Sequence, residues 1–245
     1  MLSRVEPKIK PLPMKIKEAL SSNQSADCLI YGIKGDGKSS GGIGLGMCIY
    51  PKLSVSDIVF SMEELLSRVI VAERGSVIIF DETGTQASGM SSRNFMGASN
   101  KDTVDVWQMI RTKRICVFCI TLDAGRIDNR IRDTFRFHIS PIKKLSNDDT
   151  KGNGMAIVCE LREIIKAKSG EGEDTIFTLK PTKPDGVSWI VIPLPPASLI
   201  HEYEIKREKV LNGLLLESLN NQMLKRNMEQ KKRGRPSKKK KEESE

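Results

Sequence analysis

Residues 27–40 read "DCLIYGIKGDGKSS". An apolar run, Cys28 to Tyr31, meets a loop with glycines at 32, 35 and 37, followed by Lys38, Ser39 and Ser40. A flexible, cationic loop directly after a buried strand offers backbone N–H groups to a large anion. The glycines let those groups turn inward with no Cβ in the way. The spacing Gly32-x4-Gly37-Lys38-Ser39 is that of a phosphate-cradling loop, and a preceding strand is the context the pattern requires. Gly32, Ile33, Lys34, Gly35, Asp36, Gly37, Lys38, Ser39 and Ser40 are therefore the candidate nucleotide-binding residues. Lys38 is expected to reach the β- and γ-phosphates, Ser39 to ligate Mg²⁺, and the following helix N-terminus to add partial positive charge. A glycine-rich turn with an incidental lysine is the plain alternative.

A second motif strengthens the first. "SVIIFDE" (76–82) is a buried strand ending in Asp81 and Glu82. Strand ends of this kind open onto the crevice where α/β sheets bind ligands. Asp81 suits Mg²⁺ support through a water, and Glu82 suits polarising a water for in-line attack on a γ-phosphate. On its own, an acid pair at a strand exit is equally a turn or cap signal. The glutamate favours hydrolysis over transfer to a small acceptor, and no arginine-rich lid is visible. A guanine-reading Asn-Lys-x-Asp fails at "NKDT" (100–103), where Thr103 stands in the aspartate's place. ATP is the nucleotide by default.

The third element is "ITLDAGRIDNRIRD" (120–133). Thr121 closes an apolar strand, and its hydroxyl is placed to sense the γ-phosphate. Arg126, Arg130 and Arg132 follow it, and Arg111 and Arg114 precede the strand. One of these, Arg126 and Arg130 foremost, is a candidate to reach a neighbouring subunit's site as an arginine finger. For each, pairing with Asp123, Asp128 or Asp133 is the ordinary surface alternative.

Strands at 26–31, 57–60, 76–82, 115–121 and 136–140 alternate with helical segments, among them 61–74 (Ser61 as N-cap, Glu64 three residues on) and 100–114. Uniformly apolar strands in such alternation predict an α/β fold: a mostly parallel sheet with helices on both faces. Residues 155–194 read as antiparallel strands laid on the sheet edge, and 198–230 as one helix with a weak point at Gly213. The expected organisation is an N-terminal extension (1–24), the α/β body (25–197), the C-terminal helix (198–230) and a disordered basic tail (231–245).

The net charge is +9, and +6 of it falls within residues 225–245. The basicity belongs to the tail, and a tail of that kind points to a polyanion, nucleic acid before an acidic membrane surface. No apolar run approaches the roughly 20 residues of a membrane span. The five cysteines, with no export signal visible, read as reduced thiols in an intracellular, cytoplasmic setting. "CVFC" (116–119) looks like a metal knuckle, but it lies on a strand, where residues three apart point to opposite faces.

In order, "GIKGDGKSS", "VIIFDETG", "SSRNFMGASNKDTVDVWQMIRTKRI" and "ITLDAGRIDNRIRD" resemble the FtsK/HerA group of P-loop motor ATPases. More narrowly they resemble the compact Zot-like and DNA-packaging ATPases of viruses and plasmids. The resemblance covers about residues 26–140. It implies a RecA/ASCE-like sheet in which the Thr121 strand lies between the two nucleotide-binding strands. It also implies a homo-oligomeric ring, often a hexamer, that moves double-stranded DNA through its centre. Leu122 stands where the group usually has a glutamine sensor, which leaves Thr121 as the better candidate.

The tail "KKRGRPSKKKK" (231–241) resembles an AT-hook. Arg233 and Arg235 flank Gly234 and precede Pro236, an extended arrangement suited to the narrow minor groove of A·T-rich DNA. Lys232, Lys238, Lys239 and Lys240 suit phosphate neutralisation. Together these readings expect an Mg²⁺- and ATP-dependent DNA translocase of packaging type. The rivals are an ATP-dependent DNA-binding switch and a virion- or membrane-associated assembly protein built on the same scaffold.

Overall fold

Four short runs, "CLIY", "IV", "VIIF" and "CVFCIT", contain almost nothing polar, and the reason is that both of their faces are covered. They form β1 (Cys28–Tyr31), β2 (Ile58–Val59), β3 (Val77–Phe80) and β4 (Cys116–Thr121). The structure, a computed structural model, describes residues 11–24, 26–81, 83, 107–127, 129–152, 154–168, 175–181 and 188–233. The chain divides into two compact units, Met1–Tyr203 and Glu204–Glu245.

In the first unit β5 (Phe137–Leu145) joins the other four strands in the order β2-β3-β4-β1-β5, every pair parallel. The β4 strand thus lies between the glycine-loop strand and the acid-pair strand, the insertion expected above. Beyond β5 the sheet turns antiparallel. β6 (Ala156–Lys168) pairs with β5, and both β7 (Thr175–Pro181) and β8 (Ser188–Pro193) pair with β6. The edge strands expected over 155–194 are therefore continuous with the main sheet.

Helices cover the two faces. α1 (Leu12–Ser21) buries Leu12, Ile16, Ala19 and Leu20, a 3.6-residue stripe, and packs on α2 (Lys38–Ile49). The glycines of "KSSGGIGLGMCI" make α2 a poor helix by propensity, yet it runs for three turns. They let it lie close on the sheet: a Cβ on Gly42 would sit about 3 Å from Ile30 and Ile120. α3 (Met62–Val71) starts as its sequence signals, with Ser61 Oγ accepting from Glu64 N at 3.1 Å. α4, described over residues 107–113, and α5 (Asn129–Arg132) lie with α3 against a cluster that includes Leu65, Phe80, Trp107, Val117 and Phe135. Cys119 joins that cluster, whereas Cys116 points to the other face and donates to Ala26 O at 3.1 Å. The two thiols lie on opposite sides of one strand, and burial pushes both well above the usual thiol range.

Asp27, directly before β1, is buried and joins three strands. Its carboxylate accepts from Val117 N at 2.8 Å, and its carbonyl accepts from Arg136 N and Phe137 N at 3.1 and 3.2 Å. Glu163 ties α1 to the antiparallel part of the sheet through Lys15 at 3.2 Å and Arg136 at 2.8 Å.

α6 (Ala197–Arg233) is a single helix that continues past Gly213. In the second unit it exposes Leu211, Leu215, Leu216, Leu219 and Met223. Among the described residues no helix is long and apolar enough to cross a membrane.

On β5, His138 is buried edge-on to Tyr31, ring centroids 5.9 Å apart. Burial, with Arg132 and Arg162 nearby, lowers its pKa from 6.5 to about 4. Between those values the unfolded chain binds the proton and the folded chain does not, so this contribution to stability rises with pH. It is complete above the upper value and is lost as the pH falls toward the lower one. Relative to His138→Phe, the wild type should lose about 2 kcal/mol between neutral pH and about 4.5, at 1.36 kcal/mol per pKa unit. Urea unfolding at the two pH values checks this; parallel losses in both proteins would refute it.

Candidate nucleotide-binding site

The glycine loop leaves the C-terminal tip of β1 and enters α2 at Lys38. Gly35 and Gly37 adopt φ of 97° and 85°, a left-handed region that penalises a Cβ. At Gly37 the neighbours crowd one as well: a Cβ would lie 2.8 Å from Ile157 Cδ1 and 3.0 Å from Lys144 Cε, so those two side-chain ends would have to shift. No side chain caps α2. Its first-turn N–H groups have no intrahelical acceptor by construction, and they sit at the positive end of the helix dipole. Lys38 is 9% exposed, and its ammonium folds back across the loop to donate to Gly32 O at 2.9 Å and Ile33 O at 2.7 Å. The charge is thus held at the loop's centre by the loop's own carbonyls.

Across the cleft, β3 ends at Phe80 and delivers Asp81. Its N–H donates to Val59 O at 2.9 Å, and its carboxylate is buried. Ser39 Oγ donates to Asp81 Oδ2 at 2.9 Å. A hydroxyl from the first turn of α2 and a carboxylate from the tip of β3 therefore meet, and both are the hard oxygen donors that Mg²⁺ takes. A buried carboxylate is costly without donors. It receives a second one from Tyr203, whose hydroxyl donates to the same Oδ2 at 2.6 Å.

β4 supplies the floor between these tips. Thr121 lies opposite Tyr31 in the parallel register, one residue from the loop. It is buried, and its hydroxyl donates to Asp123 O at 3.2 Å. Thr83 N and Thr83 Oγ1 both donate to Ile120 O at 3.0 Å, which pins the chain beyond the acid pair to the end of β4. Asp123 caps the following turn by accepting from Gly125 N at 2.9 Å, and Arg126 in that turn is exposed.

The structure brings Ser39, next to Lys38, against Asp81, and sets Thr121 at the end of the strand between β1 and β3. Glu82 lies outside the described residues. Arg130 is described only as part of the α5 backbone, and Lys232 and Arg233 only as part of the α6 backbone. Gly234, Arg235, Pro236, Lys238, Lys239 and Lys240 lie outside the described residues. Sequence reasoning missed Tyr203 and Thr83. No spacing rule sets a residue of a C-terminal helix beside Asp81, and only its aromatic character within the charged run "HEYEIKRE" hinted at a buried role.

A mostly parallel sheet with one strand inserted between the loop strand and the acid strand, a left-handed glycine loop opening a helix, and a Ser–Asp pair across the cleft are the arrangement of a P-loop NTPase-like fold. These residues fit a nucleoside triphosphate with Mg²⁺. No family model matches the chain, and no curated protein does. Among solved structures it is similar to the N-terminal domain of zonular occludens toxin from Neisseria meningitidis. The identity is 15% and the TM-score 0.36, over 66% of this chain and 97% of that one. Strand order and loop geometry, not this likeness, carry the fold assignment.

Proposed function

We propose that this chain is an ATP-hydrolysing motor that moves double-stranded DNA, of the packaging type, working as a homo-oligomeric ring. The observation that carries the hydrolytic part is the 2.9 Å contact of Ser39 Oγ with Asp81 Oδ2 beside the Lys38-stapled loop. The DNA part is supported by the concentration of positive charge in residues 225–245.

In this reading the loop amides and the Lys38 ammonium bind the phosphates, and Ser39 and Asp81 hold the magnesium ion. When bound, Mg²⁺ offsets phosphate negative charge and aligns the phosphate oxygens. Glu82 accepts the proton of the attacking water. Thr121, at the end of the strand between the two tips, senses the phosphate. An arginine from a neighbouring copy, Arg126 or Arg130, contributes charge to the site. The tail binds the A·T minor groove with Arg233 and Arg235, and raises the local DNA concentration at the ring.

The test is ATP turnover by the purified chain with and without duplex DNA, repeated for Glu82→Gln. Expected are stimulation by DNA and a fall of about 10²–10⁴-fold in turnover in the variant, with nucleotide binding retained. Turnover in Glu82→Gln equal to the wild type would refute the role given to that residue. Hydrolysis indifferent to DNA would favour a motor or scaffold of another kind.

A further inference from the structure

We propose that Tyr203 is a positioning residue for the metal-supporting carboxylate. Its hydroxyl aims Asp81, so that Mg²⁺-dependent nucleotide binding depends on the seating of the first turns of α6. The inference rests on the nucleotide-site reading above and deepens it.

Three observations carry it. The Tyr203 hydroxyl donates to Asp81 Oδ2 at 2.6 Å, and the same oxygen accepts from Ser39 Oγ at 2.9 Å. A carboxylate is acceptor-only, and hydrogen bonds to it are short and strong. Two hydroxyls converging on one oxygen therefore restrict how the carboxylate can rotate. Second, Tyr203 is only 4% exposed, and its ring is stacked on Phe60, centroids 6.2 Å apart and planes 18° from parallel. Phe60 directly follows β2, and its N–H donates to Glu64 Oε2 at 3.0 Å, so the ring rests on a fixed part of the core. Third, Leu199, one turn earlier on α6, is buried as well, so two residues on one face anchor these turns to the body of the first unit.

A phenylalanine at position 203 would fill the same space and keep the stacking. The hydroxyl is what addresses the site. Groups that hold metal-ligating carboxylates in place change metal affinity by about 10- to 100-fold when removed. A purely structural tyrosine would act on stability, or on nucleotide and metal binding alike.

The experiment compares the full wild-type chain with Tyr203→Phe. Binding of a non-hydrolysable ATP analogue is followed by calorimetry over a Mg²⁺ titration and again in excess EDTA. The expected result is a Mg²⁺ half-saturation raised about tenfold in the variant, with metal-free affinity within about twofold of the wild type. A half-saturation that is unchanged or lower overturns the proposal. So does an equal loss with and without Mg²⁺, which would mark a packing role. A wild-type chain that binds no nucleotide at any Mg²⁺ concentration overturns the nucleotide-site reading, and this inference with it. A wild type that binds, matched by an indistinguishable variant, overturns this inference alone.

Discussion

Lys38→Ala is expected to lower affinity for MgATP at least 100-fold while leaving the chain folded. The ammonium is nearly buried and is held by two carbonyls of the loop it serves, at 2.9 and 2.7 Å. Its removal has two effects of the same sign. The loop loses the cross-brace that keeps Gly32 and Ile33 in place, and the phosphates lose a centred positive charge. Hydrogen bonds to charged groups contribute about 1.5–3 kcal/mol each, so losing two contacts to phosphate oxygens amounts to about 3–6 kcal/mol. Lys38→Arg should not rescue, because a planar fork of donors does not fit where a compact ammonium lies. Titration with a fluorescent ATP analogue measures the loss, and a thermal melt confirms folding. An affinity within threefold of the wild type would mean that the loop does not bind phosphate in the manner described.

Gly44→Ala is expected to destabilise the domain severely, against the sign that helix propensity predicts. Alanine in a helix interior is favoured over glycine by about 1 kcal/mol. Here a Cβ would stand 2.1 Å from the carbonyl oxygen of Pro193 and 3.2 Å from Ile192 Cγ2. The first of these neighbours is backbone at the end of β8 and cannot swing aside. Either α2 moves off the sheet edge, taking the glycine loop with it, or β8 shifts against β6. Overpacking of this kind costs about 1–3 kcal/mol and occasionally more, and the rigid neighbour places this case at the upper end. For a chain of this size about 3 kcal/mol lowers the melting temperature by roughly 6–12 °C. Gly213→Ala, where nothing lies within 4 Å of the added carbon, serves as the control and should be neutral or slightly stabilising. A Gly44→Ala protein as stable as wild type would show that α2 and β8 do not pack as described.

The two substitutions mark the boundary between what was legible in the chain and what was not. The loop that holds Lys38 was readable because such a pattern is local. Its glycines, lysine and serine must be contiguous to turn the backbone around one anion, so the pattern survives in one dimension. The same holds for the Ser61 cap on α3, where side chain and N–H lie three residues apart, and for the apolar runs of β1, β3 and β4, whose burial on both faces leaves no polar residue to hide. The opposed directions of Cys116 and Cys119 followed from strand alternation alone. Gly44 was not readable in this way. Its neighbour is Pro193, and only the antiparallel pairing of β8 with β6 brings that carbonyl to α2.

By itself the sequence determined the α/β character, the phosphate-loop candidate, the strand that ends in Asp81 and the basic tail, since each is written in neighbouring residues or in strict periodicity. The tertiary structure alone decided that Ser39 touches Asp81, that Asp27 laces β1 to β4 and β5, and that Tyr203 shares the Asp81 oxygen. Those contacts join segments far apart in the chain. Hydrogen bonds between them leave no periodic trace, because a carboxylate accepts a donor from whichever segment the packed sheet and helices bring to it.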